Sequence, residues 1–301
     1  MRHLIRGHLA LVPVLFVAMI SSACTNVIYT TTESGQRALH ELTRLDGSIA
    51  AVPNGAGSQP DVSFDGTKVA FVQKDATDIR QVFVMTIGQL GTRQQITTDP
   101  VSKSYPRWSR LGHLAFASGS NIVVLDSTFA NVDLGPNVPQ TDGGLDFYDQ
   151  GSTLVYERDD NLYVFAIGGS GSELQITSCP TPSAMCNFPI VSHDQTMLAY
   201  HQTVMLSPGW PEGIIVQNLS DPSQSSSITL GPALGGGGKI HSYDFSPRDD
   251  QMYVSAKAFD SATSTYGTEL ELFVVDLDGG NKEKLSPNPP VWYPSTYRWG
   301  L

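Results

Sequence analysis

The sequence is poor in basic residues and in long apolar segments. It holds 18 lysines and arginines against 29 aspartates and glutamates, which gives a formal net charge of −11. This balance excludes nucleic acid as a partner, because binding a phosphate backbone requires a positive surface. Beyond an N-terminal segment, no run of about 20 residues is apolar enough to cross a membrane as a helix.

Catalytic and cofactor-binding motifs are missing as well. The closest approach to a Gly-x-Ser-x-Gly elbow is GGSGS at 168–172, which lacks the last glycine. The glycines at 235–238 before Lys239 do not form a phosphate-binding loop, because that pattern requires a glycine in place of Ala233 and a serine or threonine in place of Ile240. We therefore predict a protein that is not an enzyme and that carries no cofactor or metal.

The residues that are present indicate a large, turn-rich domain. The 301 residues are 40% hydrophobic and 16% charged, and they include 28 glycines and 19 prolines. Such a composition excludes wholesale disorder. The length suits two average domains or one large all-β domain.

The first 23 residues are typical of a secretory signal. A basic start is followed by twelve uncharged residues at 9–20, and small residues then precede Cys24. This junction resembles the bacterial lipobox, in which the cysteine receives a lipid. The alternative is an ordinary signal peptide that leaves Cys24 as a free thiol. Thr25 is not the aspartate that favours inner-membrane retention of lipoproteins, so we expect an outer-membrane lipoprotein that faces the periplasm.

Cys179 and Cys186 are the remaining cysteines, and they lie in a proline-containing loop. An oxidising compartment permits a disulfide between them. A zinc site is the alternative, but it needs two further ligands, and His193 is the only candidate nearby. We predict the disulfide.

A sequence pattern of about 14 residues recurs along the chain, and such repeats indicate a repeat architecture. It combines an aromatic segment, a serine or turn residue, and an alternating hydrophobic run. Each copy is followed by a second strand pattern and a polar turn. The copies lie at 59–72, 105–118, 145–158, 188–201 and 243–256, with a truncated copy at 296–301. Several short strands in each repeat are typical of a β-propeller blade.

The truncated copy supplies only an innermost strand, and the residues at 26–53 supply the rest of a blade. We therefore predict that the two ends of the chain combine in one blade, which removes two exposed sheet edges. Five internal copies and this split copy give an all-β, six-bladed β-propeller. The predicted domains are the signal at 1–23 and a single propeller at 24–301, with one blade closed by 26–53 and 296–301.

The repeats resemble those of TolB-like β-propeller proteins. The best matches are QPDVSFDGTKVAFV at 59–72, YDFSPRDDQMYV at 243–254 and LFVVDLDGGNKEKLS at 272–286. TolB carries a further α/β domain before its propeller, for which there is no room between Cys24 and the first repeat. The resemblance therefore implies the propeller fold and a periplasmic interaction platform.

Innermost strands line the central channel of a propeller. We expect charged side chains to converge there from equivalent positions of the repeats. These residues are Asp61, Arg107, Asp146, Asp244 and Arg298, with Ile190 at the equivalent position of the fourth repeat and His241 just before the fifth innermost strand. They form a binding site at the channel mouth, or else pair with one another across it.

Aromatic residues near strand ends are candidate partner contacts, because exposed Trp and Tyr often anchor partners. Trp210 lies in an insertion, and Trp292, Tyr293 and Tyr297 precede the closing strand. Packing within the loops is the alternative.

Three functions remain open. The first is a lipid-anchored, monomeric scaffold that binds a protein of the cell envelope. The second is a carbohydrate-binding or polysaccharide-degrading propeller with its site in the channel. The third is a propeller related to those of peptidases, which normally accompany a hydrolase domain. We favour the scaffold, since no catalytic motif is found and the fold alone does not decide.

Overall fold

The computed structural model describes 26–33, 36–43, 48–51, 57–87, 93–135, 139–169, 172–179, 184–204, 212–229, 238–246, 248–260, 265–285 and 292–296. The signal segment 1–23 and Cys24 lie outside these ranges. The strands are β1 (Asn26–Glu33), β2 (Gln36–Thr43), β3 (Ser48–Ala51), β4 (Ser58–Val62), β5 (Lys68–Lys74), β6 (Arg80–Thr86), β7 (Gln94–Gln95), β8 (Lys103–Trp108), β9 (Leu114–Ser118), β10 (Asn121–Leu125), β11 (Leu145–Tyr148), β12 (Thr153–Arg158), β13 (Asn161–Ala166), β14 (Glu173–Gln175), β15 (Ala184–Val191), β16 (Met197–Val204), β17 (Glu212–Asn218), β18 (Ser225–Thr229), β19 (Gly238–Phe245), β20 (Gln251–Asp260), β21 (Thr265–Asp276), β22 (Lys282–Lys284) and β23 (Trp292–Thr296). A short 3-10 turn occupies Asp149–Gly151.

Strands that follow one another pair antiparallel, and the resulting sheets form an all-β propeller. The sheet orders are β4-β5-β6-β7, β8-β9-β10, β11-β12-β13-β14, β15-β16-β17-β18, β19-β20-β21-β22 and β23-β1-β2-β3. The first strand of each sheet contacts that of the next, in the cycle β4, β8, β11, β15, β19 and β23, and β23 contacts β4 again. These innermost strands therefore surround the central channel.

The last of these sheets combines both ends of the chain, as the repeat pattern predicts. Its strand β1 pairs with β2 on one side and with β23 on the other, where Val27 lies opposite Thr296. The described part of the closing strand, β23, spans Trp292–Thr296, and residues 297–301 of the predicted closing segment 296–301 lie outside the described residues. Trp292 and Tyr293 thus lie on the strand itself.

The prediction of a six-bladed propeller is corrected to five complete blades. Five sheets have the four strands of a complete blade, whereas the sheet of β8, β9 and β10 has three. In the described residues after β10, which exclude 136–138, the chain makes isolated bridges from Leu125 to Asn131 and from Asn121 to Gln140. Pro139 lies in this stretch, and a proline has no N–H for a ladder hydrogen bond.

The core lies between neighbouring sheets, where both faces of each strand are covered. This double cover explains why β5 has four consecutive buried residues, from Val69 to Val72, where a half-exposed strand would alternate. Between the first two sheets, for example, Val82 and Val84 pack in one cluster with Trp108, Leu114 and Phe116. Similar clusters join the later pairs of sheets. Among the residues described, no helix is long and apolar enough to cross a membrane.

The serine that recurs in the repeats organises the turn between the first and second strands. Its hydroxyl oxygen accepts the backbone N–H that begins the second strand, from Lys68 to Ser63, from His113 to Ser109, from Met197 to Ser192 and from Gln251 to Ser246. The third repeat has Tyr148 at this position, and there the 3-10 turn at Asp149–Gly151 connects the first and second strands. The serine thus satisfies a backbone donor at a tight turn.

Replacing one of these serines has a predictable cost. Ser192 is fully buried, and its hydroxyl also donates to Asp194 at 2.7 Å. In Ser192→Ala, we expect the free energy of unfolding to fall by about 1–3 kcal/mol, because a buried N–H loses its acceptor. Urea unfolding measures this change. Ser225→Ala, at an exposed position of β18, is the control and should leave the stability unchanged; equal losses in both variants would contradict the role of the turn serine.

Candidate functional site: the mouth of the propeller channel

A cavity of about 360 Å³ lies among the innermost strands. Its walls come from β4, β8, β15 and β19, with Gly144 just before β11 and His201 on β16. Several sheets therefore contribute to one pocket, hereafter the mouth pocket. Binding sites commonly occupy such concave, largely apolar places with a few polar groups.

Backbone irregularities shape this pocket. The pairing register shifts between Ser58 and Asp61, between Ser104 and Arg107, and between Asn187 and Ile190. Within each of these bulges one residue has a positive φ, at Gln59 (53°), Tyr105 (52°) and Phe188 (53°). A proline follows each of them. A bulge re-aims the side chains of a strand, and a positive φ is costly for residues other than glycine.

Two aromatic rings form an exposed part of the pocket wall. The centroids of Tyr105 and Phe188 lie 5.9 Å apart, at an angle of 48°. Phe188 is 37% exposed, although it is a large apolar residue. The hydroxyl of Tyr243 donates to the backbone oxygen of Phe188 at 2.5 Å, and burial raises the pKa of Tyr243.

Polar contacts tie the walls together. Gln59 Oε1 accepts the backbone N–H of Tyr105 at 3.0 Å and so joins the first two sheets of the ring. Asn187 Oδ1 lies 3.0 Å from His201 Nδ1. The first contact holds the backbone of Tyr105, and the second holds Asn187, the residue before Phe188. Contacts within the protein therefore fix both aromatic bulges.

Glu157, on β12, supports the same wall from behind. Its Oε2 accepts the N–H groups of Gly144 and Phe188, each at 3.2 Å. The residue is 8% exposed. Burial raises the pKa of this carboxyl, and the charges of Asp142 and Asp160 raise it further, against the lowering effect of the two N–H donors.

The raised pKa predicts a pH dependence of stability. A carboxyl that keeps its proton to higher pH in the folded state than in the unfolded chain loses stabilising effect as the pH rises from 4.5 through the raised pKa. Glu157→Gln has no such proton. We therefore expect the wild type to lose stability relative to Glu157→Gln over this window and to run parallel to it at higher pH. Urea unfolding of both proteins across about pH 4 to 8 measures the difference; a constant difference would contradict the prediction.

The predicted channel residues divide into two groups. Arg107, Ile190, His241 and Asp244 line the mouth pocket. Asp61 and Asp146 are fully buried and bind the backbone of the next innermost strand. Asp61 Oδ2 accepts the N–H of Trp108 at 2.6 Å, and Asp146 Oδ2 accepts that of Val191 at 2.9 Å.

Arg107 is the arginine of this set that lies within the described residues. Its Nη1 donates to Asp61 Oδ1 at 3.2 Å, and its Nε donates to the backbone oxygen of Leu145 at 3.3 Å. The sequence left open whether the charged channel residues pair with one another, and Arg107 and Asp61 form such an ion pair. Asp244 Oδ1 accepts the N–H of Phe245 at 2.9 Å.

Other candidates fall outside the described residues. These are Cys24, Trp210, Tyr297 and Arg298, together with the side chains of Trp292 and Tyr293. Cys179 and Cys186 form the disulfide that the sequence favours. Within the described ranges, no three His, Cys, Asp or Glu side chains are grouped so that they could hold a metal ion.

Neither the aromatic wall nor Glu157 is among the residues predicted from the sequence. A signal for the wall is present, since an aromatic residue precedes a proline at both Tyr105 and Phe188. The sequence gives no such signal for Glu157, because β12 shows only an ordinary strand pattern. Contacts between different sheets assemble this part of the site.

Comparison with known proteins gives a likeness of fold. No protein-family profile and no curated protein matches the sequence. Among solved structures, TolB from Acinetobacter baumannii has a TM-score of 0.69 at 17% identity over 91% of this chain. A protein described as TolB from Agrobacterium tumefaciens has a TM-score of 0.60 at 15% identity, over 92% of this chain and 93% of its own.

This chain spans 66% of the length of the Acinetobacter protein. The hydrazine synthase of Kuenenia stuttgartiensis also matches, with a TM-score of 0.68 at 10% identity, over 91% of this chain and 47% of that one. The same architecture thus occurs in a protein named as an enzyme, and fold alone does not assign function. The chain has the fold of the TolB-like β-propellers.

Proposed function

We propose that this protein is a non-enzymatic scaffold of the cell envelope that binds a protein partner at its mouth pocket. The observation that carries the proposal is the exposed ring of Phe188, held beside Tyr105 on bulged, positive-φ backbone. Backbone strain of this kind persists where the surrounding structure enforces it, commonly at ligand-binding sites. Aromatic side chains in a preformed pocket are the usual anchors of protein interfaces.

The proposed location is the periplasmic face of the outer membrane, with a lipid on Cys24. Its support is the signal pattern at 1–23 and the lipobox-like junction. The disulfide between Cys179 and Cys186 suits an oxidising compartment. The net charge of −11 favours a partner with a basic surface and acts mainly on the rate of association.

We further infer that the three-stranded sheet serves as the sixth blade of a closed ring. The support is the cycle of contacts among the six innermost strands, in which β8 lies between β4 and β11. The innermost strands pack against one another around the ring, which leaves little room for a strand of the partner to pair with them. The partner is therefore expected at the mouth pocket, where side chains are accessible.

Crosslinking in intact envelopes, followed by purification, tests this function. The wild type is compared with Cys24→Ala, which has the same propeller but no site for a lipid. We expect one stoichiometric envelope protein with the wild type and much less of it with Cys24→Ala. Copurification of an oligosaccharide or a metal ion without a protein partner would overturn the scaffold and favour the carbohydrate-binding alternative.

Removing the exposed ring should weaken partner binding. In Phe188→Ala, we expect the affinity for the captured partner to fall at least tenfold, about 1.4 kcal/mol, because an anchoring ring is lost from the pocket. Leu174→Ala removes a side chain that is 63% exposed on the outer strand β14 and should leave the affinity unchanged. Calorimetry with the purified partner measures both; equal affinities of Phe188→Ala and the wild type would contradict the assignment.

A further inference from the structure

We propose that Glu157 is a positioning residue for the mouth pocket, holding Phe188 in the backbone conformation that presents its ring. The inference rests on the proposed function, since it concerns the same pocket. Glu157 does not line the pocket, so it acts through Phe188 rather than by touching a ligand.

The hydrogen bonds give Glu157 this role. One carboxylate oxygen accepts an N–H from Gly144, just before β11, and another from Phe188 on β15. It thus joins the innermost strands of two neighbouring sheets at the pocket rim. Phe188 has a φ of 53°, which is unfavourable for a side chain of its size. A hydrogen bond from its N–H to a charged acceptor favours this conformation.

Two glycines provide the space that the arrangement needs. A Cβ on Gly143 would collide with Glu157 Oε2, and a Cβ on Gly144 would lie 2.7 Å from the Cα of Phe188. Side chains at these positions would separate the carboxylate from Phe188 or push β15 away. The Gly143–Gly144 pair and Glu157 therefore act together to position Phe188. The strand pattern of β12 does not indicate this role.

The surroundings make this carboxylate sensitive to pH. The groups that interact with it electrostatically are Asp142 before β11, Asp160 after β12 and Tyr243 on β19. Within the described part of the chain, no cation forms an ion pair with Glu157. When the carboxyl takes up its proton, both N–H groups lose a charged acceptor. Phe188 is then held less firmly, because hydrogen bonds to neutral acceptors are weaker.

Amide NMR of the full propeller tests the proposal without a partner, using protein labelled with 15N-glycine and 15N-phenylalanine. We expect the amide signals of Gly144 and Phe188 to titrate together in the wild type, with a midpoint above 4.5, the ordinary pKa of the carboxyl. In Glu157→Gln this titration should vanish. Glu173→Gln, which removes a carboxylate bonded to Tyr156 on the same sheet, should keep it.

Hydrogen exchange separates positioning from general stability. Glu157→Leu has no acceptor, so we expect the Phe188 amide to exchange at least tenfold faster than in Glu157→Gln, with the amide of buried Phe116 unchanged. Equal acceleration at both amides, or an absent titration in the wild type, would overturn the proposal. Either result leaves the proposed partner binding standing, and failure to capture a partner leaves this titration standing. Should Glu157→Leu fail to fold, the comparison of the wild type with Glu157→Gln decides alone.

Discussion

Replacing Asp61 by alanine is expected to destabilise the propeller by about 3–5 kcal/mol, the range for breaking a buried charge pair by removing one partner. Asp61 is fully buried. Its carboxylate binds the N–H of Trp108 and the guanidinium of Arg107. Its loss leaves a buried N–H without this acceptor and removes the carboxylate that forms the ion pair with Arg107. It also removes a connection between β4 and β8, the innermost strands of adjacent sheets.

Urea unfolding at neutral pH measures this loss, and two variants calibrate it. Asp61→Asn keeps an oxygen that can accept from Trp108 but removes the charge, so we expect a smaller loss than for alanine. Asp65→Ala removes an exposed carboxylate of the following turn and should cost less than either. If Asp61→Ala and Asp65→Ala had the same stability, Asp61 would not be the connection between these sheets.

Removing the disulfide is expected to lower stability by about 2–3 kcal/mol, the loop-entropy value for so short a loop. The loop between Cys179 and Cys186 spans a sequence separation of seven. We expect the Cys179→Ser, Cys186→Ser protein to lose this amount in urea unfolding. Wild-type protein whose disulfide has been reduced should have the same free energy of unfolding as this double variant. Identical stabilities of oxidised wild type and double variant would show that the bond does not stabilise the fold.

The disulfide also lies next to the mouth pocket. Cys186 immediately precedes Asn187, which lines the pocket and contacts His201. The N–H of Cys186 donates to the backbone oxygen of Asp160 at 2.9 Å. The start of β15 is therefore fixed from both sides, by the covalent bond and by this hydrogen bond. Loss of the disulfide should weaken partner binding as well as stability.

Much of the architecture follows from repeats that are visible in the sequence. The turn serines, such as Ser63 and Ser192, recur because each repeat has the same backbone N–H to satisfy. The pairing of the two chain ends follows from an incomplete last copy. The position of the closing strand does not, because Trp292–Thr296 pairs with β1 in a register that the repeat pattern alone leaves undetermined.

The candidate site is less predictable, because neighbouring sheets create it together. Asp61 and Asp244 hold equivalent places in their repeats; Asp61 binds the backbone of the next innermost strand, and Asp244 lines the pocket. Bulges at Tyr105 and Phe188 change the facing of the residues that precede them. Strict alternation therefore does not predict which way those aromatic rings face. The three-stranded sheet is a similarly local feature, since the described part of the chain after β10 makes only isolated bridges on either side of 136–138.

Site-specific photo-crosslinking tests the central claim, that the mouth pocket receives the partner. A photoreactive phenylalanine replaces Phe188, Tyr105 or, as the control, Leu174, which is more exposed than either but lies on an outer strand. We predict that both pocket positions yield an adduct with the same envelope protein and that position 174 does not. An adduct from position 174 together with none from positions 105 and 188 would place the interface elsewhere and contradict the claim.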